Sequence, residues 1–189
     1  MCRTGRHNYQ LGRTRRGRRM IFSRQRDLRL VTVRRGGTLE DADHHRLALW
    51  AADCAEYVLY HFEHAHPEDD RPRRAIELAR AWARGEITMT QARTAAFSNA
   101  AAREASGAAK LAALAAAQAV AVSHVPAHDL GAAAYAIRAA RAAAPGGEQE
   151  QAGRLECEWQ RAQLPGEIRE LVLDDQRLRN GVCWSVFDC

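Results

Sequence analysis

Apolar residues recur every three or four positions through residues 38–66, which is the spacing of one face of an α-helix. The members of this face are Leu47, Trp50, Cys54, Val58, His61 and Ala65. Thr38 and Asp41 have the spacing of an N-terminal capping box, and Pro67 disfavours helical geometry in the residue before it. The pattern predicts a first helix over about residues 38–66.

Prolines, glycines and capping residues divide the rest of the chain into shorter periodic segments. They predict helices near residues 72–84, 88–106, 108–125, 129–144 and 148–164, and a shorter one from residue 165. Residues 180–189 are unusually apolar for a chain end and are expected to pack back onto the helices. We therefore predict a single compact all-α domain of six or seven helices over residues 38–189, arranged as an α-hairpin stack or a bundle.

Alanine supplies much of the apolar content, and aromatic residues make up only 6% of the 189 residues. Because alanine has little bulk and the highest helix propensity, this composition indicates helices that pack at close range. No apolar run reaches the length needed to cross a bilayer, so no membrane partner is expected.

Positive charge is concentrated in residues 1–37, the N-terminal arm. The arm contains twelve arginines and one aspartate, a net charge of +11, whereas residues 38–189 contain 16 basic and 22 acidic residues, a net charge of −6. Three interpretations of the arm stay open: a disordered basic tail, an artefact of an upstream start site, or a nucleic-acid-binding arm whose arginines attract phosphate. Nucleic acid is expected as a partner only through the N-terminal arm.

The cysteines are scattered and form no CxxC pair; they are Cys2, Cys54, Cys157, Cys183 and Cys189. This pattern predicts neither a disulfide framework nor a zinc ribbon, and it is typical of a protein of the reducing cytosol. The arginine-rich start lacks the apolar segment of an export signal. We therefore predict a cytoplasmic protein.

Histidines and Cys54 supply residue types that metal sites and nucleophilic sites use. His124 and His128 have the spacing of a metal-binding pair on a helix, but Pro126 between them interrupts the helix that would align them. Cys54 lies in the middle of the apolar face of the first helix, where cysteine behaves as a small buried group. The sequence predicts no metal site, no cofactor and no catalytic residue, and hence a protein that is not an enzyme.

Polar residues on the predicted helices indicate instead a buried polar network that holds the helices together. Acidic and basic side chains within a helical bundle commonly have this role. The predicted members are Asp53, Tyr57, His61, His64, Arg80, His124 and His128.

Five segments of the chain resemble a known bacterial family. They are LALWAADCAEYVL (47–59), DDRPRRAIELARAWARGEI (69–87), QARTAAFSNAAAREA (91–105), SHVPAHDLGAAAYAI (123–137) and WQRAQLPGEIRELVLDDQRLRNGVCWSVFDC (159–189). In this order they are similar to the immunity-five-like family of immunity proteins, which is associated with polymorphic toxin systems. The resemblance covers residues 38–189. It implies an all-α domain that protects the producing cell by binding and occluding a cognate protein toxin.

The acidic body suits such a role, because many toxins attack nucleic acid and carry basic surfaces. We expect an interface of acidic side chains with aromatic anchors: Glu68, Asp69, Asp70, Asp174, Asp175, Trp184 and Phe187. The alternative function is that of a nucleic-acid-binding helical protein that uses the N-terminal arm.

Overall fold

The computed structural model describes residues 26–94 and 97–189, and there the chain is built from α-helices joined by short turns. The described residues form nine α-helices: α1 (Asp41–Tyr57), α2 (Tyr60–Ala65), α3 (Arg71–Ala83), α4 (Met89–Arg93), α5 (Phe97–Glu104), α6 (Gly107–Ala121), α7 (Asp129–Ala143), α8 (Gln149–Ala162) and α9 (Gly166–Arg179). Seven of the nine have eight residues or more. The predicted all-α fold of six or seven helices is confirmed.

The predicted first helix is interrupted at Val58 and Leu59, which separate α1 from α2. The backbone leaves α-helical geometry at Val58 (φ −104°, ψ 0°), and the His61 N–H donates to the Val58 carbonyl only three residues earlier. Neither proline nor glycine lies at this break. Val58, Leu59 and Phe62 are almost completely buried there, so burial of neighbouring apolar side chains favours the turn over a continuous helix.

Alanine fills the centre of the domain, where α6 and α7 pack against each other. The buried alanines of these two helices are Ala109, Ala112, Ala113, Ala115, Ala116, Ala117, Ala119, Ala132, Ala133, Ala134, Ala136 and Ala139. Gly131 of α7 lies so close to the Gln118 side chain of α6 that a Cβ at this position would collide with it. The helices α1, α3 and α5 surround α6, and α8 packs against α7. Small side chains therefore set the close approach of the central helices.

Residues 26–40, the N-terminal segment, fold across the helices in two short 3-10 turns, Leu28–Leu30 and Val33–Arg35. Leu30 and Leu39 are buried, and Thr32 forms an isolated bridge with Leu39. The N-terminal segment therefore includes residues 26–37 of the predicted arm. The remainder of the arm, residues 1–25, lies outside the described residues.

A glycine makes the return of the N-terminal segment possible. A Cβ at Gly37 would overlap the backbone of Val31, so the chain can pass there only without a side chain. The Thr38 N–H then donates to the Leu28 carbonyl at 2.9 Å, and α1 begins after Glu40 without a side-chain cap. The predicted capping box at Thr38 is therefore wrong, because Thr38 belongs to the turn rather than to the helix start.

The C-terminal tail (residues 180–189) packs back onto the helices, as its apolar composition predicts. Cys183, Val186 and Phe187 are buried. A disulfide joins Cys157 of α8 to Cys189. The cysteine pattern predicted no disulfide framework and did not reveal this single bond, which forms because the folded tail brings together two cysteines that lie 32 residues apart.

Candidate functional site

A cavity of about 960 Å³, the histidine cavity, lies beside the N-terminal segment. Four histidines line it, two from the start of α1 (His44 and His45) and two from the connection between α6 and α7 (His124 and His128). Trp82 at the end of α3 completes one wall, with its ring 4.7 Å from the ring of His44 and 4.9 Å from that of His45. The folded N-terminal segment thus closes one side of a ring-lined cavity.

Hydrogen bonds to neighbouring polar groups fix two of these histidines. His44 Nε2 donates to the Val122 carbonyl at 2.7 Å, and His128 Nδ1 lies 2.7 Å from Gln118 Oε1. Burial lowers the pKa of both rings, that of His128 to about 4. Burial also lowers the pKa of His124, helped by nearby arginine charge. These three imidazoles are therefore neutral at pH 7.

The carboxylates around the histidine cavity are bound by arginines of the same chain. Arg34 pairs with Asp41 at the start of α1, and Arg29 bonds Asp27 and Asp174 at 2.7 Å each. Arg35 has a different partner, because its Nη1 donates to the His124 carbonyl at 3.2 Å. Three of the four arginines in residues 26–37 are thus engaged with the helical domain.

A buried ionic cluster lies next to the histidine cavity and joins α7 to α9. Arg179 pairs with Asp175, lies 3.5 Å from Asp129, and donates to the Ala127 carbonyl at 3.0 Å. Asp129 is completely buried, and its Oδ2 has no hydrogen-bond partner within the described part of the chain. Burial, together with the charge of Asp175, raises the pKa of Asp129 to about 7. This cluster holds the end of α9 against the start of α7.

The structure separates the members of the predicted polar network. Arg80 Nη2 binds Asp53 at 2.6 Å and Glu56 at 2.7 Å, on a face where both carboxylates remain nearly half exposed. His124 and His128 line the histidine cavity, with ring centroids 5.7 Å apart. The buried position predicted for the others is corrected: Tyr57 and His64 are exposed, and His61 is half-buried.

Tyr57 instead belongs to an apolar patch, the aromatic surface, made of Tyr57, Leu155, the half-buried Trp159 and Tyr60, which lies near Tyr57 and Glu156. The rings of Tyr57 and Trp159 stack with centroids 3.9 Å apart, which joins the end of α1 to α8. Leu155 lies one turn before Trp159 on α8, on the same side of the helix. Tyr57, Tyr60 and Leu155 are 50%, 51% and 58% exposed, although such side chains favour burial. The sequence predicted a buried Tyr57; its exposure depends on how α1 and α8 meet, which helical spacing alone does not show.

Most of the interface residues predicted from sequence are engaged or buried. Asp69 binds Arg71, and Asp174 binds Arg29 and Arg177. The rest of this set lies as follows: Asp175 and Phe187 are buried, whereas Glu68, Asp70 and Trp184 are exposed. The prediction that Asp175 and Phe187 belong to the interface is therefore wrong, because both side chains are buried.

Trp184 has a partner within the chain. The Arg138 guanidinium lies 4.1 Å from the centroid of the indole ring, and the Tyr135 ring lies 5.2 Å away. These contacts hold Trp184 against α7.

Cys54 has none of the features of a catalytic thiol. It is fully buried in α1, and burial, with the nearby Glu156 charge, raises the pKa of its thiol. Glu156 is itself buried, and it accepts a hydrogen bond of 2.8 Å from Gln160 Nε2. Within the described ranges, no group of three or more histidine, cysteine, aspartate or glutamate side chains is placed to hold a metal ion. No helix of those ranges is long and apolar enough to cross a membrane.

The packed helical domain with an exposed aromatic surface is typical of proteins that act by binding. The family described as Imm-5 like putative immunity protein matches residues 37–167, more than half of the chain. The chain belongs to this family, which confirms the resemblance seen in the sequence. Comparison with curated proteins finds no match, and comparison with solved structures finds none either.

Proposed function

We propose that this protein is an immunity protein that binds a cognate protein toxin and covers the surface with which the toxin acts. Membership of the immunity protein family over residues 37–167 is the observation that carries this proposal. Binding rather than catalysis is in keeping with the buried, undissociated thiol of Cys54.

The aromatic surface is the docking surface that we propose. Tyrosine and tryptophan are the side chains that most often dominate protein interfaces, because they bury large apolar areas and lose little conformational freedom. Tyr57 and Trp159 are already stacked, so part of the ordering cost is met before the partner arrives.

The partner that we propose is a toxin with a basic patch around an apolar contact. Asp53 and Glu56 keep nearly half of their side chains exposed one turn from Tyr57 and Tyr60, although both bind Arg80. Glu158 precedes Trp159 directly and is exposed. A cationic toxin surface would complement this acidic border, which favours rapid association and the correct orientation.

Co-expression with the toxin encoded beside this chain tests the proposal. We expect the chain to restore growth and to form a stable complex that co-purifies with the toxin. Failure to rescue growth, together with failure to form the complex, would contradict the proposed function. Salt-sensitive binding to nucleic acid that is lost when residues 1–25 of the N-terminal arm are removed would favour the alternative of a nucleic-acid-binding protein.

A further inference from the structure

We propose that the histidine cavity binds a small anionic aromatic molecule, one planar ring system that carries a phosphate or a carboxylate group. This site is separate from the aromatic surface and goes beyond toxin binding. It is built by the N-terminal segment, the start of α1, the end of α3, the connection between α6 and α7, and the end of α9.

The size and lining of the cavity suit a small molecule. Its volume of about 960 Å³ lies within the range of roughly 300–1,000 Å³ that small-molecule sites occupy. Leu30, Val125, Pro126 and Leu178 supply apolar side chains to the walls. Such a pocket buries most of the surface of a small ligand while a few polar groups orient it.

One wall of the cavity is made of rings. The Trp82 indole is in edge contact with the rings of His44 and His45, so three flat, polarisable groups meet at one place. A planar ligand ring gains most from such a wall, because aromatic groups prefer offset-stacked or edge-to-face contacts. This wall selects the aromatic part of the ligand.

The charges that line the cavity select an anion. Every lining carboxylate already has an arginine partner: Asp27 binds Arg29, Asp41 binds Arg34, and Asp175 binds Arg179.

Arg26 and Arg35 also line the cavity and have no carboxylate partner among the described residues. Only Nη1 of Arg35 is engaged, with the His124 carbonyl. A guanidinium with remaining N–H donors binds phosphate or carboxylate through paired hydrogen bonds. The cavity therefore presents unmatched positive charge at the N-terminal segment and rings deeper in the domain.

His44 contributes a hydrogen-bond acceptor rather than charge. The Val122 carbonyl can only accept, so His44 Nε2 carries the hydrogen and Nδ1 of the neutral ring is left as an acceptor. Ring N–H or hydroxyl groups of the ligand match such an acceptor. Cations from the N-terminal segment and the His44 ring of α1 thus line the same cavity.

Isothermal titration calorimetry on the purified full chain tests the proposal, with four probes. Adenosine monophosphate and salicylate each carry a ring and an anionic group, whereas adenosine lacks the anion and inorganic phosphate lacks the ring. We expect at least one of the first two to bind with a dissociation constant of the order of micromolar, and the latter two to bind at least roughly tenfold more weakly. Binding of the phosphate compound alone or of the salicylate alone supports the proposal and shows which of the two ligands fits the cavity.

Two arginine variants locate the site. Arg35→Gln and Arg26→Gln each remove a lining cation, and we expect each to weaken binding about tenfold. Arg84→Gln is the matched control, because Arg84 is exposed, pairs with Glu86 and does not line the cavity. Equal thermal unfolding midpoints show that the variants remain folded. Binding of no probe, equal binding of adenosine and its monophosphate, or unchanged binding by both lining variants would overturn the proposal.

Discussion

The ring of Tyr57 lies on the ring of Trp159, with centroids 3.9 Å apart and planes inclined by 22°. This stack joins the last residue of α1 to α8 at a place where both helices meet solvent. Aromatic pairs of this geometry add about 0.5–1.5 kcal/mol beyond the area that they bury. A stacked pair that stays exposed is therefore a rigid, preformed contact for a partner.

We predict that Trp159→Ala weakens the complex with the cognate toxin by about 2 kcal/mol, roughly thirtyfold in the dissociation constant, because central tryptophans dominate protein interfaces. Calorimetric or surface-based binding measurements on the purified partners check this result. Trp184→Ala is the matched control, since Trp184 is an exposed tryptophan that packs on Tyr135 and Arg138 instead. If Trp184→Ala weakens binding more than Trp159→Ala does, the interface includes the C-terminal tail rather than the aromatic surface.

The second prediction concerns Glu156, whose pKa burial raises from an ordinary value near 4.5 to about 7. The folded state thus holds a proton that the unfolded chain has released, so the contribution of Glu156 to stability is complete below about pH 4.5 and is lost as the pH rises to 7. The total loss is roughly 3 kcal/mol. We expect Glu156→Gln, which cannot ionise, to unfold at higher urea than the native chain at pH 8 and at similar urea at pH 5.

The difference between the two proteins isolates Glu156 from the other titrating groups. Asp129 acts in the same direction, whereas the histidines with lowered pKa act in the opposite one. Glu158→Gln, on the exposed side of the same helix, is expected to leave the pH dependence unchanged. If the urea midpoints of Glu156→Gln and the native chain differ by the same amount at pH 5 and at pH 8, the prediction is contradicted.

The third prediction concerns the buried ionic cluster. Arg179→Met leaves Asp129 and Asp175 buried without their cation, and we expect the free energy of unfolding to fall by about 3–5 kcal/mol. Arg177→Met is its control on the same helix, because Arg177 is mostly exposed and pairs with Asp174; a change below about 1 kcal/mol is expected there. Urea titration at pH 7 compares the two variants. Equal losses of unfolding free energy in the two variants would contradict the prediction, because the buried cluster would then be no more stabilising than the exposed pair.

The fourth prediction concerns the disulfide. Cys189→Ser opens a loop that spans 32 residues, and we expect the free energy of unfolding to fall by about 2–4 kcal/mol, because the unfolded chain gains freedom. Reduction of the native chain with dithiothreitol should give the same loss and should not affect the variant further. Thermal and urea unfolding with and without the reductant check this. A native chain that is insensitive to the reductant would argue against the bond in solution.

Helical periodicity and the breaks at proline and glycine were sufficient to predict the helical class and most helix positions. Thr88, the first residue of the third predicted helix, forms a capping box with Gln91. The break at Val58 could not be predicted in this way, since it arises from the burial of Val58 and Leu59 against other helices and not from a local signal. Thr38 does not cap the helix, because its N–H and its hydroxyl group both donate to the carbonyl of Leu28. That contact is not local to the helix start.

The candidate sites were less predictable than the fold. Tyr57 and His64 were predicted to be buried, but both are exposed, because whether one side of a helix faces solvent depends on the neighbouring helices. The histidine cavity forms because the N-terminal segment folds back onto the helices past Gly37. The charge of the arm, on which its sequence-based interpretation rested, does not predict this folding. The Cys157–Cys189 pair depends in the same way on the folded tail.

That disulfide also has a consequence for how the domain opens. It closes residues 157–189 into a covalent ring that contains all of α9 and the C-terminal tail. Ordinarily a last helix frays from its free end, and its amides exchange hydrogen through small local openings. Here the far end of the ring is tied to α8, so we expect the amides of α9 to exchange together with those of α8, as one cooperative unit, until the bond is reduced.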